Sequence, residues 1–233
     1  ITMNKILNSG ATKGLGRALA IELSKSGHQL ILCSRSQENL KKLSSEIKEI
    51  NPKLRPIVIS VDLQKQEELV KKLSQLSQEN YPNIIINNLG IFENGLASEI
   101  KLNQLQSQLE LNLYSAINIT NLFLENIKTQ KGQIINIGSV VSHQAAKEMA
   151  SYSISKHALK AWNDSLREEL RTKSVKVTAI YPGAMNTSSW DEVENVERQK
   201  MIQVEDVAKL IRQLIEIGES TLVEEIRLSP LNF

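Results

Sequence analysis

The chain has 233 residues, 41% hydrophobic and 23% charged, a composition that suits a soluble globular fold with one well-buried core and excludes a disordered chain. A formal net charge of +2 is too small for a nucleic-acid-binding surface, so any positive site must be local. One cysteine, Cys33 inside an apolar run, and three histidines without paired spacing exclude a disulfide framework and predict no metal site. No apolar run reaches membrane-spanning length and no signal-peptide block opens the chain, so a cytoplasmic location without a membrane partner is expected. Ile1 and Thr2, ahead of Met3, read as an expression remnant outside the fold.

Short β-type runs alternate with longer helical patterns from end to end, the signature of repeated βαβ units. Strands are predicted at 5–8, 29–33, 56–61, 83–87, 133–137, 175–180 and 222–228. Several, such as Ile84-Ile85-Ile86, are unbroken aliphatic runs, as expected of parallel strands covered on both faces. Helices are predicted at 15–26, 37–50, 66–78, 102–128, 151–171 and 204–217. In the fourth, Leu105, Leu109, Leu113, Ala116, Thr120, Leu124 and Ile127 form one apolar face. No linker or repeat interrupts the pattern, so residues 1–233 read as a single domain.

The first strand ends in Gly10-Ala11-Thr12-Lys13-Gly14-Leu15-Gly16 and a helical pattern follows at once. Glycines there let the backbone approach a pyrophosphate, while the helix amino terminus offers free N–H groups and a positive dipole. One glycine would read as an ordinary tight turn; three in a strand–turn–helix context read as a phosphate cradle. Dinucleotide folds that select NAD place a carboxylate at the end of the second strand, about 20 residues further on, against the ribose 2′-hydroxyl. Here Ser34 and Arg35 hold that place, and Lys13 adds a second cation, so NADP(H) is expected over NAD(H). The competing reading is that Lys13 and Arg35 are solvated surface charges.

Further along, Ser139 follows the fifth strand and Tyr152 precedes Lys156 by four residues, one helical turn. A phenol acting near neutral pH needs its phenolate favoured by about three units, roughly 4 kcal/mol, which nearby positive charge can supply. Ser139 would donate to the same substrate oxygen. Alone, Tyr-x-x-x-Lys is a weak signal, most often a half-buried tyrosine beside a solvated lysine.

In its ordered set of motifs the chain resembles the short-chain dehydrogenase/reductase family. The resemblance rests on Gly10, Gly14 and Gly16, on Asp62-Leu63 after the third strand, and on Asn87-Asn88-Leu89-Gly90 after the fourth. It continues with Asn112, Ser139, Tyr152 and Lys156, and ends with Pro182, Gly183 and Thr187. Singly each has a plain alternative, a helix cap, a turn or a strand terminator. The resemblance implies that Asp62 binds the adenine edge, that Asn88 and Gly90 pack beside the adenosine ribose, and that Lys156 holds the nicotinamide ribose. Thr187 would face the carboxamide or phosphates, and Asn112 would anchor a water linking Lys156 to solvent. Leu89 and Ser9 depart from the usual Ala and Thr without removing a reacting group. The family's variable lid falls at 184–203, where Met185 and Trp190, with His143 and Met149, are candidates to line a substrate pocket.

The resulting expectation is one doubly wound α/β Rossmann-type domain, a seven-stranded parallel sheet in the order 3-2-1-4-5-6-7 with helices on both faces. Its expected function is an NADP(H)-dependent oxidoreductase moving a hydride between nicotinamide and a small carbonyl/alcohol substrate, possible 3-oxoacyl groups included. The alternatives are a non-catalytic NADP(H)-sensing regulator or scaffold, and an epimerase or dehydratase with a larger carboxy-terminal region. Leu159, Trp162, Leu166 and Leu170, with Leu111, Ile117 and Phe123, exceed what one sheet face needs, so a homodimer or homotetramer through 102–128 and 151–171 is expected.

Overall fold

The structure, a computed structural model, describes residues 3–191, 193 and 197–231; Ile1 and Thr2, set aside above, lie outside the described residues. Seven parallel strands pair in the order β3-β2-β1-β4-β5-β6-β7. They are β1 (Lys5–Ser9), β2 (Gln29–Ser34), β3 (Ile57–Ser60), β4 (Ile84–Asn87), β5 (Gln133–Ile137), β6 (Lys176–Pro182) and β7 (Glu225–Leu228). The helices are α1 (Gly14–Lys25), α2 (Gln37–Ile50), α3 (Gln66–Leu73), α4 (Leu102–Leu109), α5 (Ser115–Thr129), α6 (Ala150–Arg171) and α7 (Val204–Glu216).

Two apolar layers account for the aliphatic runs. Ile6, Leu30, Leu32, Ile84 and Ile86 face one layer with the buried stripes of α1, α2 and α7. Leu7, Ile31, Ile85 and Ile134 face the other, with Leu69 of α3, Phe123 of α5 and Leu170 of α6. Successive side chains of a strand point to opposite faces, so both must be apolar when helices cover both. The chain runs outward from β1 in both directions. Strand order therefore reverses between β1 and β4, and the loops leaving their carboxyl ends diverge to open a crevice.

Several elements differ from the sequence reading. The predicted helix 66–78 ends at Leu73, where Ser74 donates its hydroxyl back to Lys71 O and competes with helix continuation. The predicted helix 102–128 is interrupted: a π turn, Glu110–Tyr114, separates α4 from α5. The extra residue in that turn rotates the buried face. Ahead of it α4 buries Gln108; within and after it the chain buries Leu111, Asn112, Ser115, Ala116, Ile119, Thr120, Phe123 and Ile127, so Ala116, Thr120 and Ile127 of the expected stripe are buried while Leu105, Leu109, Leu113 and Leu124 are only partly so. Finally, β3 and β7 are shorter than predicted.

The apolar surplus expected on the two long helices is also corrected. Leu159, Leu166, Leu170, Leu111 and Phe123 are buried within the chain itself, because α6 and the π turn lean against the sheet and each other. What stays exposed there is Leu102, Tyr114 and Ile154.

Candidate active site

The turn after β1 is shaped by its glycines. Gly10 and Gly14 take φ of +72° and +46°, backbone that side chains resist. Gly16 is needed for a different reason: a Cβ there would lie 2.1 Å from Gly10 O, so α1 could not start against the turn. Neighbouring side chains hold this geometry. Asn8 Nδ2 donates to Gly16 O at 2.8 Å, and Asn88 Nδ2 donates to Ser9 O at 3.2 Å. Lys13, at the α1 N-cap, makes no side-chain capping bond, which leaves the first-turn N–H groups without a side-chain acceptor. A turn with no Cβ in the way and uncapped amides fits the diphosphate of a dinucleotide.

A cleft of about 420 Å³ opens from this turn toward α6. At one end lie Gly10, Thr12, Lys13, Gly14, Leu15, Ser34 and Arg35. Thr12 Oγ1 and Ser34 Oγ are hydrogen-bonded at 2.7 Å, tying the glycine turn to the end of β2, a link that sequence spacing does not reveal. Lys13 and Arg35 are exposed, and neither forms an ion pair with another described residue. Along the floor come Leu63, Asn88, Leu89 and Gly90, and Tyr152 and Lys156 stand at the far end. Thr187 closes the cleft from the other side: a Cβ on Gly14 would lie 3.2 Å from its Cγ2.

Lys156 is buried at 3% exposure and donates to Ile137 O at 2.9 Å; its Nζ sits 5.8 Å from the centroid of the Tyr152 ring. Burial disfavours the ammonium and pulls the lysine down to about 8. Burial likewise raises the Tyr152 phenol above its ordinary range, and a hydrogen bond with Ser139 offsets part of that rise. The expected lowering of the phenol by Lys156 is thus corrected: desolvation is the larger effect, and the ammonium is engaged by the Ile137 carbonyl. Ser139 owes its position to the break after β5, where its Oγ accepts from Val141 N at 3.4 Å and starts a short helical turn.

Asn112, at 1% exposure, is no surface amide. Its Oδ1 accepts from Ile91 N at 2.8 Å, and its Nδ2 donates to Ile91 O at 3.0 Å and Ser155 Oγ at 2.9 Å. The side chain clamps the loop after β4 to α6. Gly90 lies on the same side, where a Cβ would come 3.3 Å from Lys156 Nζ. Asp62 does not line the cleft; its Oδ1 accepts from Gln64 N at 3.2 Å, while the adjoining Leu63 reaches the lining. Pro182 and Gly183 belong to the join between β6 and β7, with Gly183 N donating to Leu228 O at 2.8 Å.

Of the pocket candidates, Met185 lines the cleft, and His143, Met149 and Trp190 do not. His143 stacks edge-on to Tyr181, centroids 4.4 Å apart, because the turn after Ser139 carries it behind the sheet edge. The remainder of the lid, at 192 and 194–196, lies outside the described residues. Phe92 was missed by sequence reasoning. Its ring meets that of Tyr152 edge-on, centroids 5.7 Å apart, and its signal was only an aromatic two residues beyond Gly90.

A parallel sheet thus carries a phosphate cradle at its switch point, with Tyr152 and Lys156 in the same cleft and Ser139 hydrogen-bonded to the tyrosine. Residues 4–198 match the family described as short chain dehydrogenase, and the chain belongs to that family. The chain is 30% identical over 187 residues to a mouse protein named dehydrogenase/reductase SDR family member 7B, a match covering 78% of this chain and 58% of that protein. It is 31% identical over 191 residues to the Arabidopsis thaliana NADPH-dependent pterin aldehyde reductase, covering 80% of this chain and 77% of that one. The chain thus spans under three fifths of the length of the first relative. Among solved structures, an alcohol dehydrogenase from Thermococcus sibiricus complexed with 5-hydroxy-NADP superposes with a TM-score of 0.91 at 21% identity, covering 100% of this chain and 98% of that one, which shows the fold. Among the described residues, no helix is long and apolar enough to cross a membrane.

Proposed function

We propose that the protein is an NADP(H)-dependent reductase of a small carbonyl compound. The observation that carries the reading is the cleft itself, which joins the glycine turn and two cations free of described carboxylate partners to the Tyr152 phenol. Lys13 and Arg35, with Ser34, would hold the 2′-phosphate through charge-assisted hydrogen bonds. Leu15, Leu63, Asn88 and Thr187 would flank the rest of the dinucleotide, and Asp62, next to Leu63, would lie toward its adenine. The nicotinamide supplies the hydride. Tyr152 then donates its phenolic proton to the substrate oxygen, Ser139 donates a hydrogen bond to that oxygen, and Lys156 supplies positive charge beside the phenolate left behind. Asn112 aligns the loop over Lys156 and would anchor the water that returns the proton. Burial keeps the phenol protonated, the form that can donate to the substrate oxygen.

The test combines nucleotide binding with turnover. Wild type should bind NADPH at least about tenfold more tightly than NADH, and Ser34→Asp with Arg35→Ala should abolish that preference. Tyr152→Phe should lower turnover at least about a hundredfold with NADPH affinity unchanged. Near-wild-type turnover by the Phe variant would remove Tyr152 from the chemistry.

A further inference from the structure

The end of the cleft around Tyr152 differs in chemistry from the end at the glycine turn. Ile91, Phe92, Leu111 and Ile137 are its apolar lining, with Met185 also in the cleft and the small hydroxyls of Ser188 and Ser189 as uncharged polar groups. Lys13 and Arg35 belong to the opposite end, beside Gly10 and Ser34. The remaining charged side chain in the lining is Lys156, and its ammonium is engaged by Ile137 O at 2.9 Å. No aspartate or glutamate is among the lining residues described. An anionic substituent next to the reacting carbonyl would be desolvated there with Lys156, whose ammonium already serves Ile137 O and the Tyr152 phenolate, as the sole described cation at that end, and a poorly paired buried charge is costly. Phe92 touches the proton donor directly, its ring set at 70° to that of Tyr152 with centroids 5.7 Å apart.

We infer that this cleft takes an uncharged, apolar aldehyde or ketone, and that Phe92 is the residue that selects it. The inference rests on the carbonyl-reductase reading of the same site. Phe92 contributes an apolar face against which the substrate's carbon skeleton packs, and its ring edge restricts the Tyr152 ring. In the reaction the substrate carbon gains a hydride and its oxygen gains the Tyr152 proton, so the carbonyl becomes an alcohol as NADPH becomes NADP⁺.

The matched probes are 4-methylbenzaldehyde and 4-formylbenzoate, alike in size and different in charge. With NADPH, wild type should reduce the methyl compound with kcat/KM at least about a hundredfold above that of the carboxylate. Phe92→Ala should raise KM for 4-methylbenzaldehyde about tenfold, and Phe92→Leu should recover most of that loss. Phe92→Arg, which places a cation on this wall, should narrow the hundredfold gap by at least about tenfold. Each variant is checked by its affinity for NADPH, which should equal wild type because Phe92 is remote from the glycine turn. Equal or better reduction of 4-formylbenzoate by wild type, or a Phe92→Arg variant with an unchanged gap, would overturn the inference while leaving the reductase reading intact. Binding of each aldehyde to NADP⁺-loaded protein, read by calorimetry, separates the two ideas. Selective binding of the methyl compound without reduction would sink the reductase reading, and failure of both aldehydes to bind would sink the inference.

Discussion

Lys156 shows how one side chain can couple position, charge and pH. Its burial at 3% exposure is tolerable because Ile137 O accepts from the ammonium, yet desolvation still brings it down to about 8. Between pH 8 and the unfolded lysine's value of 10.5, the unfolded chain binds more protons than the folded one, so stability contributed by this group rises with pH across that window. Tyr152 works in the opposite sense: its raised phenol contributes stability that is lost as pH climbs above 10. For the reaction, the ammonium is the useful form. Rates of carbonyl reduction should therefore fall as pH rises through about 8, where Lys156 loses its proton. Two measurements check this. The pH profile of kcat/KM should carry an alkaline limb near 8, and Lys156→Met should flatten the rise in urea stability between pH 8 and 10. A profile level to pH 10 would show that the lysine charge is not needed.

At the scale of elements, the strands and α6 are tied by a polar ladder running through an apolar interior. Asn87 Nδ2 donates to Asn136 Oδ1 at 2.8 Å and to Thr120 Oγ1 at 3.2 Å. Asn136 Nδ2 then donates to Asn163 Oδ1 at 2.9 Å. All three asparagines are almost wholly buried. Register places Asn87 of β4 directly beside Asn136 of β5, so the bond follows from the pairing. Asn136→Leu would leave an amide of Asn87 and a carbonyl of Asn163 without this partner, at about 1–3 kcal/mol each. A loss of at least about 2 kcal/mol in urea unfolding is expected, and a change below about 0.5 kcal/mol would mean the ladder contributes nothing. This part of the fold was only half legible. The strands could be read because Ile84-Ile85-Ile86 and its counterparts must be apolar on both faces, but Asn136 gave no sign of its partners, which lie 49 and 27 residues away. The π turn was hidden for a related reason. Leu109, Leu113, Ala116 and Thr120 continue a helical period across it, and periodicity counts residues without sensing an added one. The clustering of the candidate groups was legible because their spacing is local: Tyr152 and Lys156 share one turn, and Gly10, Gly14 and Gly16 share one loop. Phe92 and the Thr12–Ser34 bond depend on how loops converge, which no local pattern encodes.

For the whole molecule, the site sits where two halves of the sheet diverge, so its contributors come from the carboxyl ends of the strands and the loops after them, from the start of α1, from the π turn and from α6. That arrangement makes α6 and the π turn a common wall for chemistry on the inside and solvent on the outside. The outer side retains Leu102 at 80%, Tyr114 at 41% and Ile154 at 42% exposure, one residue each from α4, the π turn and α6. Because α4 and the π turn both pack against α6, these residues ride on one connected set of helices. This is much less apolar surface than the sequence implied, since most of the counted leucines are internal. We propose that it still suffices for a homodimer through these helices, because Tyr114 is an aromatic anchor of the kind interfaces favour and aliphatic Leu102 and Ile154 are exposed with it. Light scattering at micromolar concentration should give twice the 26.1 kDa chain mass. Tyr114→Glu combined with Ile154→Glu should reduce it to the chain mass by burying two carboxylates at the interface. Ile154 is two residues from Tyr152 on the same helix, so dissociation should also raise KM for the carbonyl substrate while leaving NADPH affinity, set at the other end of the cleft, unchanged. A wild-type protein that scatters as a monomer would refute the dimer, and a double variant that stays dimeric would place the interface elsewhere.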